Sequence, residues 1–181
     1  MKEVKLPLDI VLINPSAFTP YTGMLPGLIS GDYRRKDAYV DLVKLCNASG
    51  VRLLIGSVEK INPYKKSLVI KGRPEITFDV VSIDVGIKSL AENFLSKSQT
   101  LISAKPMGEL YEKWKEFLSQ VHKNNKKAVT IVGGGLGGVE LAFAVKEALE
   151  KNQSPHNITI IDKGKILKRE TTKLCKKLTK L

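Results

Sequence analysis

Cysteine is scarce in this sequence, which has only Cys46 and Cys175 among 181 residues. They form no CxxC pair and neither has a histidine at metal-ligating spacing, so the sequence supports neither a dithiol redox centre nor a zinc site. We interpret both as free thiols. No apolar run approaches the ~18–20 residues of a membrane span. The N-terminal run MKEVKLPLDIVLIN carries Asp9 within its apolar part and has no small-residue cleavage site, so we predict a cytoplasmic protein without a secretory signal.

Positive charge, by contrast, is abundant. Thirty Lys and Arg against 18 Asp and Glu give a net charge of +12, and 43% hydrophobic residues indicate a globular chain rather than a disordered one. This basicity raises nucleic acids, anionic lipids and phosphorylated cofactors as partners. Nucleic acid is not favoured, because the sequence has neither an aromatic RNP pattern nor zinc-ligand spacing.

The basic residues are most concentrated in residues 163–181, where Leu174, Leu178 and Leu181 fall on one helical face. We predict an amphipathic surface helix whose lysine-rich side is solvated. The alternative is a basic helix that makes a peripheral contact with the inner face of a membrane.

The first half of the chain predicts strands around one helix. Residues 8–14 (LDIVLIN) predict a buried strand, and residues 15–31, with three prolines and three glycines, predict a loop. Residues 37–49 predict a helix that Gly50 ends. Strands are predicted over residues 51–61, 67–72 and 75–86.

The second half predicts a helix followed by a strand–turn–helix–strand unit. The amphipathic run ELYEKWKEFLSQVHK, residues 109–123, predicts the first helix. Residues 128–132 predict a strand, residues 139–149 a helix and residues 157–161 a second strand. We place a domain boundary within residues 105–127.

The glycine turn between strand and helix carries the clearest chemistry. Gly133-Gly134-Gly135-Leu136-Gly137-Gly138 contains GxGxxG in its full context, with a strand before it and a helix after it. Gly133 would allow the tight turn, Gly135 the approach of a pyrophosphate to the backbone, and Gly138 the close packing of helix on sheet. The phosphate would face the helix N-terminus. The alternative is a glycine-rich turn that binds nothing.

Two carboxylates accompany this turn. Asp162 ends the second strand, 24 positions after the last glycine, where an acidic residue accepts hydrogen bonds from an adenosine ribose and favours NAD over NADP. The neighbouring positive charges of Lys163 and Lys165 weaken this preference for NAD over NADP. Glu140, predicted two residues into the helix, would either interact with the helix dipole or contact the cofactor. The NAD-binding candidates are Gly133, Gly134, Gly135, Gly137, Gly138, Glu140 and Asp162.

Four segments together resemble a known family: VGGGLGGVELAFAV, NPSAFTPYTGMLPGLISGDY, GSVEKI and FDVVSIDVG. They resemble the pyridine nucleotide-disulphide oxidoreductases, in the branch close to type II NADH dehydrogenases. The resemblance implies an α/β fold with tandem Rossmann-like domains, an NAD domain inserted into an FAD domain. It also implies that hydride passes from nicotinamide to FAD and that electrons continue to an acceptor such as a quinone. NAD(H) and FAD are the implied cofactors, with NADH preferred over NADPH.

The resemblance also assigns residues to FAD. Val58 matches a position whose backbone meets the flavin's adenine, and Tyr21 to Pro26 would lie near the isoalloxazine. The run that ends at Gly86 resembles the family's YDxLVIATG, with Asp84 and Val85 in place of alanine and threonine. The implied domains are a partial FAD-binding domain over residues 1–104, a connecting helix over 105–127 and a partial NAD(P)-binding domain over 128–181. Catalytic residues stay unassigned, because the flavin would perform the hydride chemistry.

Both half-domains are expected to be incomplete. The chain starts at what would be the second strand of the FAD-binding βαβ unit, and the later strands of both domains have no counterpart. We therefore expect that the chain alone binds FAD poorly and is inactive alone. The missing CxxC argues against disulphide reduction. The alternative function is a non-catalytic nucleotide-binding remnant or a subunit, completed by a companion chain or a homo-oligomer.

Overall fold

The computed structural model describes residues 8–87, 100–121 and 126–168, and these form two compact units. The first unit contains residues 8–20 and Tyr39–Gly86. The second contains Tyr21–Ala38 and the described residues from Ile87 onward. The predicted domains follow sequence order, whereas the contacts group Tyr21–Ala38 with the second half of the chain. The assignment of residues 1–104, 105–127 and 128–181 to cofactor domains stays a prediction.

The first unit is built around a short parallel strand pair. Strand β1 (Val11–Asn14) pairs in parallel with β4 (Arg52–Ile55), and helix α3 (Leu42–Ser49) lies between them in sequence and packs on β4. Strand β2 (Phe18–Pro20) pairs with β3 (Tyr39–Asp41) in an antiparallel ladder.

The rest of the first unit is an antiparallel sheet of three strands. Strands β5 (Val58–Asn62), β6 (Ser67–Ile70) and β7 (Ile76–Thr77) pair in that order. Gly56 separates β4 from β5, and a Cβ at this position would lie 2.7 Å from the Ile70 side chain. The backbone at Gly56 therefore lies close to the side chain of the buried Ile70.

The second unit is a parallel βαβ unit joined by three further helices. A 3-10 turn (Thr22–Met24) leads into α1 (Leu25–Ser30), which is followed by α2 (Arg35–Ala38) and, after the first unit's segment, by α4 (Met107–Ser119). Strand β8 (Lys127–Val132), helix α5 (Leu136–Lys151) and strand β9 (His156–Ile161) complete it. β8 and β9 are parallel and paired over six residues each.

The core of the second unit lies where α1, α4 and α5 meet. Its buried members are Ile29, Leu110, Trp114, Ala144, Val145, Ala148 and Leu149. Leu149 is completely buried, and the Trp114 indole Nε1–H donates a hydrogen bond of 2.9 Å to the backbone oxygen of Ile29. The strand residues Val129 and Ile158 pack against this cluster. Helix α1, which comes from far earlier in the sequence, is thus part of the core.

Lys151 holds the backbone that follows α1. Its Nζ lies 2.5 Å from Asp32 Oδ1, 3.0 Å from Glu147 Oε1 and 3.2 Å from the backbone oxygen of Ser30. Hydrogen bonds to Asp32 and Glu147 raise the pKa of Lys151, and the bond from Lys151 lowers the pKa of Asp32. The last residue of α5 therefore fastens residues 30–32 to the unit.

Several predicted elements are confirmed, and others are wrong. The strands in 8–14 and 67–72, the helix in 109–123 and the strand–turn–helix–strand unit all occur. Residues 15–31 are not a plain loop, because they contain β2 and α1. Pro26 lies in the first turn of α1, where its missing N–H costs nothing, and Gly31 ends the helix with φ +84°.

Three more boundaries differ from the prediction. In residues 37–49, Tyr39–Asp41 is a strand, and the helix begins only at Leu42 because Asp41 caps it by accepting from the Lys44 N–H. Residues 51–61 form two strands instead of one. Within residues 75–86, which were predicted as one strand, only Ile76–Thr77 forms a strand. Of the helix predicted over residues 163–181, residues 163–168 are described and are not helical, and the part from residue 169 onward lies outside the described residues. None of the described helices combines the length and apolar content needed to cross a membrane.

Candidate functional site

The glycine turn joins β8 to α5 at the carboxyl edge of the parallel strand pair. Gly133 has a φ of +120°, in the region that favours glycine, and its N–H donates a hydrogen bond of 2.7 Å to the Ile161 oxygen. Gly135 is the N-cap residue of α5, and its oxygen accepts the first helical hydrogen bond, from the Val139 N–H. The predicted strand–turn–helix context is therefore present.

Close packing at Gly138 shapes this turn. A Cβ at Gly138 would lie 1.9 Å from the Gly133 oxygen, a distance too short for any side chain at position 138. A Cβ at Gly135 or Gly137 would meet nothing within 4 Å. The space beside Gly135, at the N-terminus of a 16-residue helix, is therefore open to a ligand that approaches the backbone.

Gly134 faces the segment that follows β9. Its N–H donates to Asp162 Oδ2 at 2.7 Å, and its oxygen accepts from the Leu167 N–H at 2.7 Å. A Cβ at Gly134 would lie 3.0 Å from Ile166. Residues 162–167 thus close over the buried Gly134. Sequence reasoning missed Ile166 and Leu167, and no spacing signal marks them.

Asp162 has both carboxylate oxygens in hydrogen bonds to backbone N–H groups. Oδ2 accepts from Gly134, and Oδ1 accepts from Gly164 at 2.8 Å. These bonds stabilise the ionised form, and the one from Gly134 contributes most to lowering the pKa of Asp162. Each carboxylate oxygen can accept more than one hydrogen bond, so Asp162 keeps the capacity to accept from a hydroxyl. Its ribose role stays a prediction.

Glu140 lies farther into the helix than predicted. Helix α5 begins at Leu136, not at Val139, so Glu140 is its fifth residue and no acidic residue lies in the first turn. The favourable interaction with the helix dipole falls off beyond the first turn, so a capping role for this exposed side chain is wrong. The first turn of α5 carries no negative charge to oppose an anion.

The four flavin candidates are divided between the two units. Val58 begins β5 and Gly86 has a φ of +69°, both exposed in the first unit. Tyr21 and Pro26 belong to the second unit, where Tyr21 precedes the 3-10 turn and Pro26 is half-buried in α1. No unit contains all four, and their assignment to FAD stays a prediction. Cys46 is a free, buried thiol in α3.

The first unit offers no comparable anion site among its described residues. Its helix α3 begins with the carboxylate of Asp41, which already accepts the Lys44 N–H at 3.0 Å. β1 leads into Asn14-Pro15 and not into a glycine turn. The described residues of this unit therefore do not fit the pyrophosphate of FAD.

Comparison with known proteins finds solved structures of similar fold. No protein-family model and no curated protein matches the sequence. Among solved structures, NDH2 from Plasmodium falciparum in complex with NADH is similar with a TM-score of 0.71 and 20% identity, covering 91% of this chain and 39% of its own. A ferredoxin reductase from Rhodopseudomonas palustris matches with a TM-score of 0.65 and 18% identity, over 97% of this chain and 42% of its own. The sulfide:quinone oxidoreductase from Aquifex aeolicus matches with a TM-score of 0.63 and 19% identity, over 86% and 37%.

All three similarities are at 18–20% identity, so they show the fold of this chain. The chain spans about two fifths of the length of each of the three. The predicted α/β, Rossmann-type fold is confirmed, and the arrangement as incomplete tandem domains stays a prediction.

The contrast between Gly138 and Gly137 gives a first prediction. Gly138→Ala should destabilise the second unit by about 3 kcal/mol, because its methyl group overlaps the Gly133 oxygen. Gly137→Ala, in the same helix and in open space, should be neutral or stabilising by up to about 1 kcal/mol. Urea unfolding followed by Trp114 fluorescence measures both. Equal stability of the two variants would contradict the close packing.

Asp162 gives a second prediction, in pH dependence. Its pKa is lowered in the folded state, so its contribution to stability is present above the ordinary carboxyl pKa of about 4. That contribution is lost as the pH falls through the lowered value. Wild type should therefore exceed Asp162→Asn in thermal stability at neutral pH, and the gap should close in acid. Asp84→Asn, at an exposed carboxylate, controls for the loss of one charge. A gap that does not change with pH would refute the role of Asp162.

Proposed function

We propose that the second unit binds the pyrophosphate of NAD(H) at the turn Gly133–Gly138, and that the chain works in an FAD-dependent NAD(P)H oxidoreductase. The observation that carries this is the open backbone at Gly135 at the start of α5. Gly133 turns the chain there and Gly138 holds the helix close. Free N–H groups and the dipole at such a helix start favour a phosphate.

The residues of this chain would bind and orient the nucleotide. The N–H groups of the first turn of α5 would donate to phosphate oxygens, with no carboxylate in that turn to oppose them. Asp162, held by Gly134 and Gly164, would accept a ribose hydroxyl. This supports NADH over NADPH, because a 2′-phosphate would meet the negative charge of Asp162. Lys163 and Lys165 reduce that discrimination.

The flavin part of the proposal is supported by the sequence resemblance and by the structural neighbours. Val58, Gly86, Tyr21 and Pro26 are the proposed flavin contacts. The nicotinamide supplies a hydride when it is bound, and an acceptor such as a quinone would take the electrons onward. The described residues of the first unit lack a site for the flavin's pyrophosphate, so firm FAD binding would need groups beyond those described.

A second candidate is a nucleotide-binding subunit completed by a companion chain or by another copy. It is favoured by the β8–β9 sheet, which has only two strands within the described residues. Each of these strands therefore has one edge at which a strand of another chain could pair. Val132 and Ile161 at the ends of these strands are exposed, Val132 by 81%. A cytoplasmic site of action, and peripheral membrane contact through the basic residues 163–181, are part of the proposal in either case.

Calorimetric titration with NADH tests the nucleotide site. Gly135→Ala should fold normally, since its Cβ meets nothing, yet it should bind NADH about tenfold or more weakly because the methyl group blocks the approach of the phosphate. Glu150→Ala, an exposed position near the other end of α5, is the control and should bind as wild type does. NADPH should bind more weakly than NADH, and Asp162→Asn should narrow that difference. Unchanged affinity in Gly135→Ala would refute the site.

An absorbance spectrum after mixing with FAD and removal of the excess tests the flavin part. We expect little flavin to remain on the chain alone, because its described residues offer no second phosphate turn. Stoichiometric flavin bands that bleach with NADH would contradict this expectation and would show a working oxidoreductase.

A further inference from the structure

Leu167 has a backbone conformation that residues other than glycine seldom adopt. Its φ is +57°, in the left-handed region, yet its side chain is almost completely buried. The side chain lines an apolar cleft between α5 and β9, together with Ala142, Phe143 and Ile158. A residue in such a conformation persists only where its surroundings fix it, and residues of this kind concentrate at functional sites. Burial of the side chain therefore fixes the backbone of Leu167 and the direction of its N–H.

The backbone N–H of Leu167 contacts the glycine turn. It donates a hydrogen bond of 2.7 Å to the Gly134 oxygen. Asp162, at the other end of the same segment, accepts the Gly134 N–H at 2.7 Å. The Asp162–Leu167 segment therefore holds two successive peptide groups of the turn, the first by its N–H and the second by its oxygen.

The geometry of a peptide group gives these hydrogen bonds a directional effect. A planar trans peptide points its N–H and its oxygen in opposite directions. The peptide between Gly133 and Gly134 follows this rule, because its N–H faces Asp162 and its oxygen lies on the other side, against Gly138. A hydrogen bond at one end of a peptide in this turn therefore determines where the other end points.

The same rule determines the direction of the Gly135 N–H. The peptide between Gly134 and Gly135 is trans, and its oxygen accepts from Leu167. The Gly135 N–H therefore points away from the Asp162–Leu167 segment. Within the described residues this N–H has no hydrogen-bond acceptor, and a Cβ at Gly135 would meet nothing within 4 Å. The Gly135 N–H is thus a donor that is oriented before a ligand binds.

We propose that Leu167 is a positioning residue of the nucleotide site. Its buried side chain fixes the Asp162–Leu167 segment on α5 and β9, and its N–H holds the Gly134 oxygen so that the Gly135 N–H faces the pyrophosphate. This inference rests on the proposed NAD(H) function. Because the donor is already oriented, less conformational freedom is lost when the nucleotide binds.

Calorimetric titration of the intact chain with NADH tests this role. Leu167→Ala keeps the backbone N–H but loses the buried side chain, so it should bind NADH about tenfold more weakly than wild type. Leu167→Met refills the cleft and should restore the affinity to within about twofold of wild type. Ile158→Ala is the matched control, because it removes a side chain from the same cleft at a residue that pairs with Val129 and not with the turn. It should bind NADH as wild type does.

A nuclear magnetic resonance spectrum of the free chain gives a second readout, which needs no nucleotide. Nitrogen–carbonyl coupling through the hydrogen bond from Leu167 to Gly134 should be present in the labelled wild-type chain. In Leu167→Ala this coupling should vanish and the Gly135 amide signal should shift. The amide signals of α4 should stay in place and show that the second unit is folded. The wild-type coupling decides the matter even where Leu167→Ala does not fold.

Four results would overturn the proposal. Equal NADH affinity of Leu167→Ala and wild type would refute the role of Leu167 and leave the NAD(H) site intact, and so would the absence of the coupling in the folded wild-type chain. An equal loss of affinity in Ile158→Ala would reduce the effect to a loss of packing in the cleft. Failure of wild type itself to bind NADH would refute the proposed site, and the role of Leu167 with it.

Discussion

The approach of α5 to the end of β8 is the constraint on which the second unit depends. The helix starts so close to the strand that the Gly133 oxygen fills the space a Cβ would need at Gly138. That closeness places the N-terminus of α5 beside the open backbone at Gly135, and it allows Asp162 to reach the Gly134 N–H across the parallel pair. The close packing of the helix and the open backbone at Gly135 therefore have one cause. A larger residue at Gly138 would disturb both.

The far end of the same helix organises the other half of the unit. Lys151 at the end of α5 and Trp114 in α4 both donate hydrogen bonds to backbone oxygens in residues 29–30, which come from a distant part of the sequence. Helix α5 thus begins at the glycine turn and, at its end, anchors the backbone of residues 30–32. This arrangement makes Tyr21–Ala38 a structural part of the second unit.

Local patterns were enough to predict the glycine turn with its strand and helix, because glycine spacing, strand periodicity and helix periodicity all act over neighbouring residues. They failed where contacts between residues far apart in the sequence determine the local structure. Residues 15–31 have too many prolines and glycines for an isolated helix, yet α1 forms because Ile29 is buried against Trp114 and α5. Asp41 acts as a cap because Tyr39 and Val40 pair with β2, a partnership that no local pattern encodes. The hydrogen bonds of Asp162 to Gly134 and Gly164 also depend on the tertiary register of β8 and β9.

The most direct measurement is a nitrogen–proton correlation spectrum of the labelled chain during titration with NADH. We expect the amide signals of Gly133–Gly138 and of Asp162 to shift together and saturate, while those of the β5–β7 sheet stay in place. Amide signals of the turn that do not move at saturating NADH, in a folded chain, would contradict the assignment of this turn as the nucleotide site.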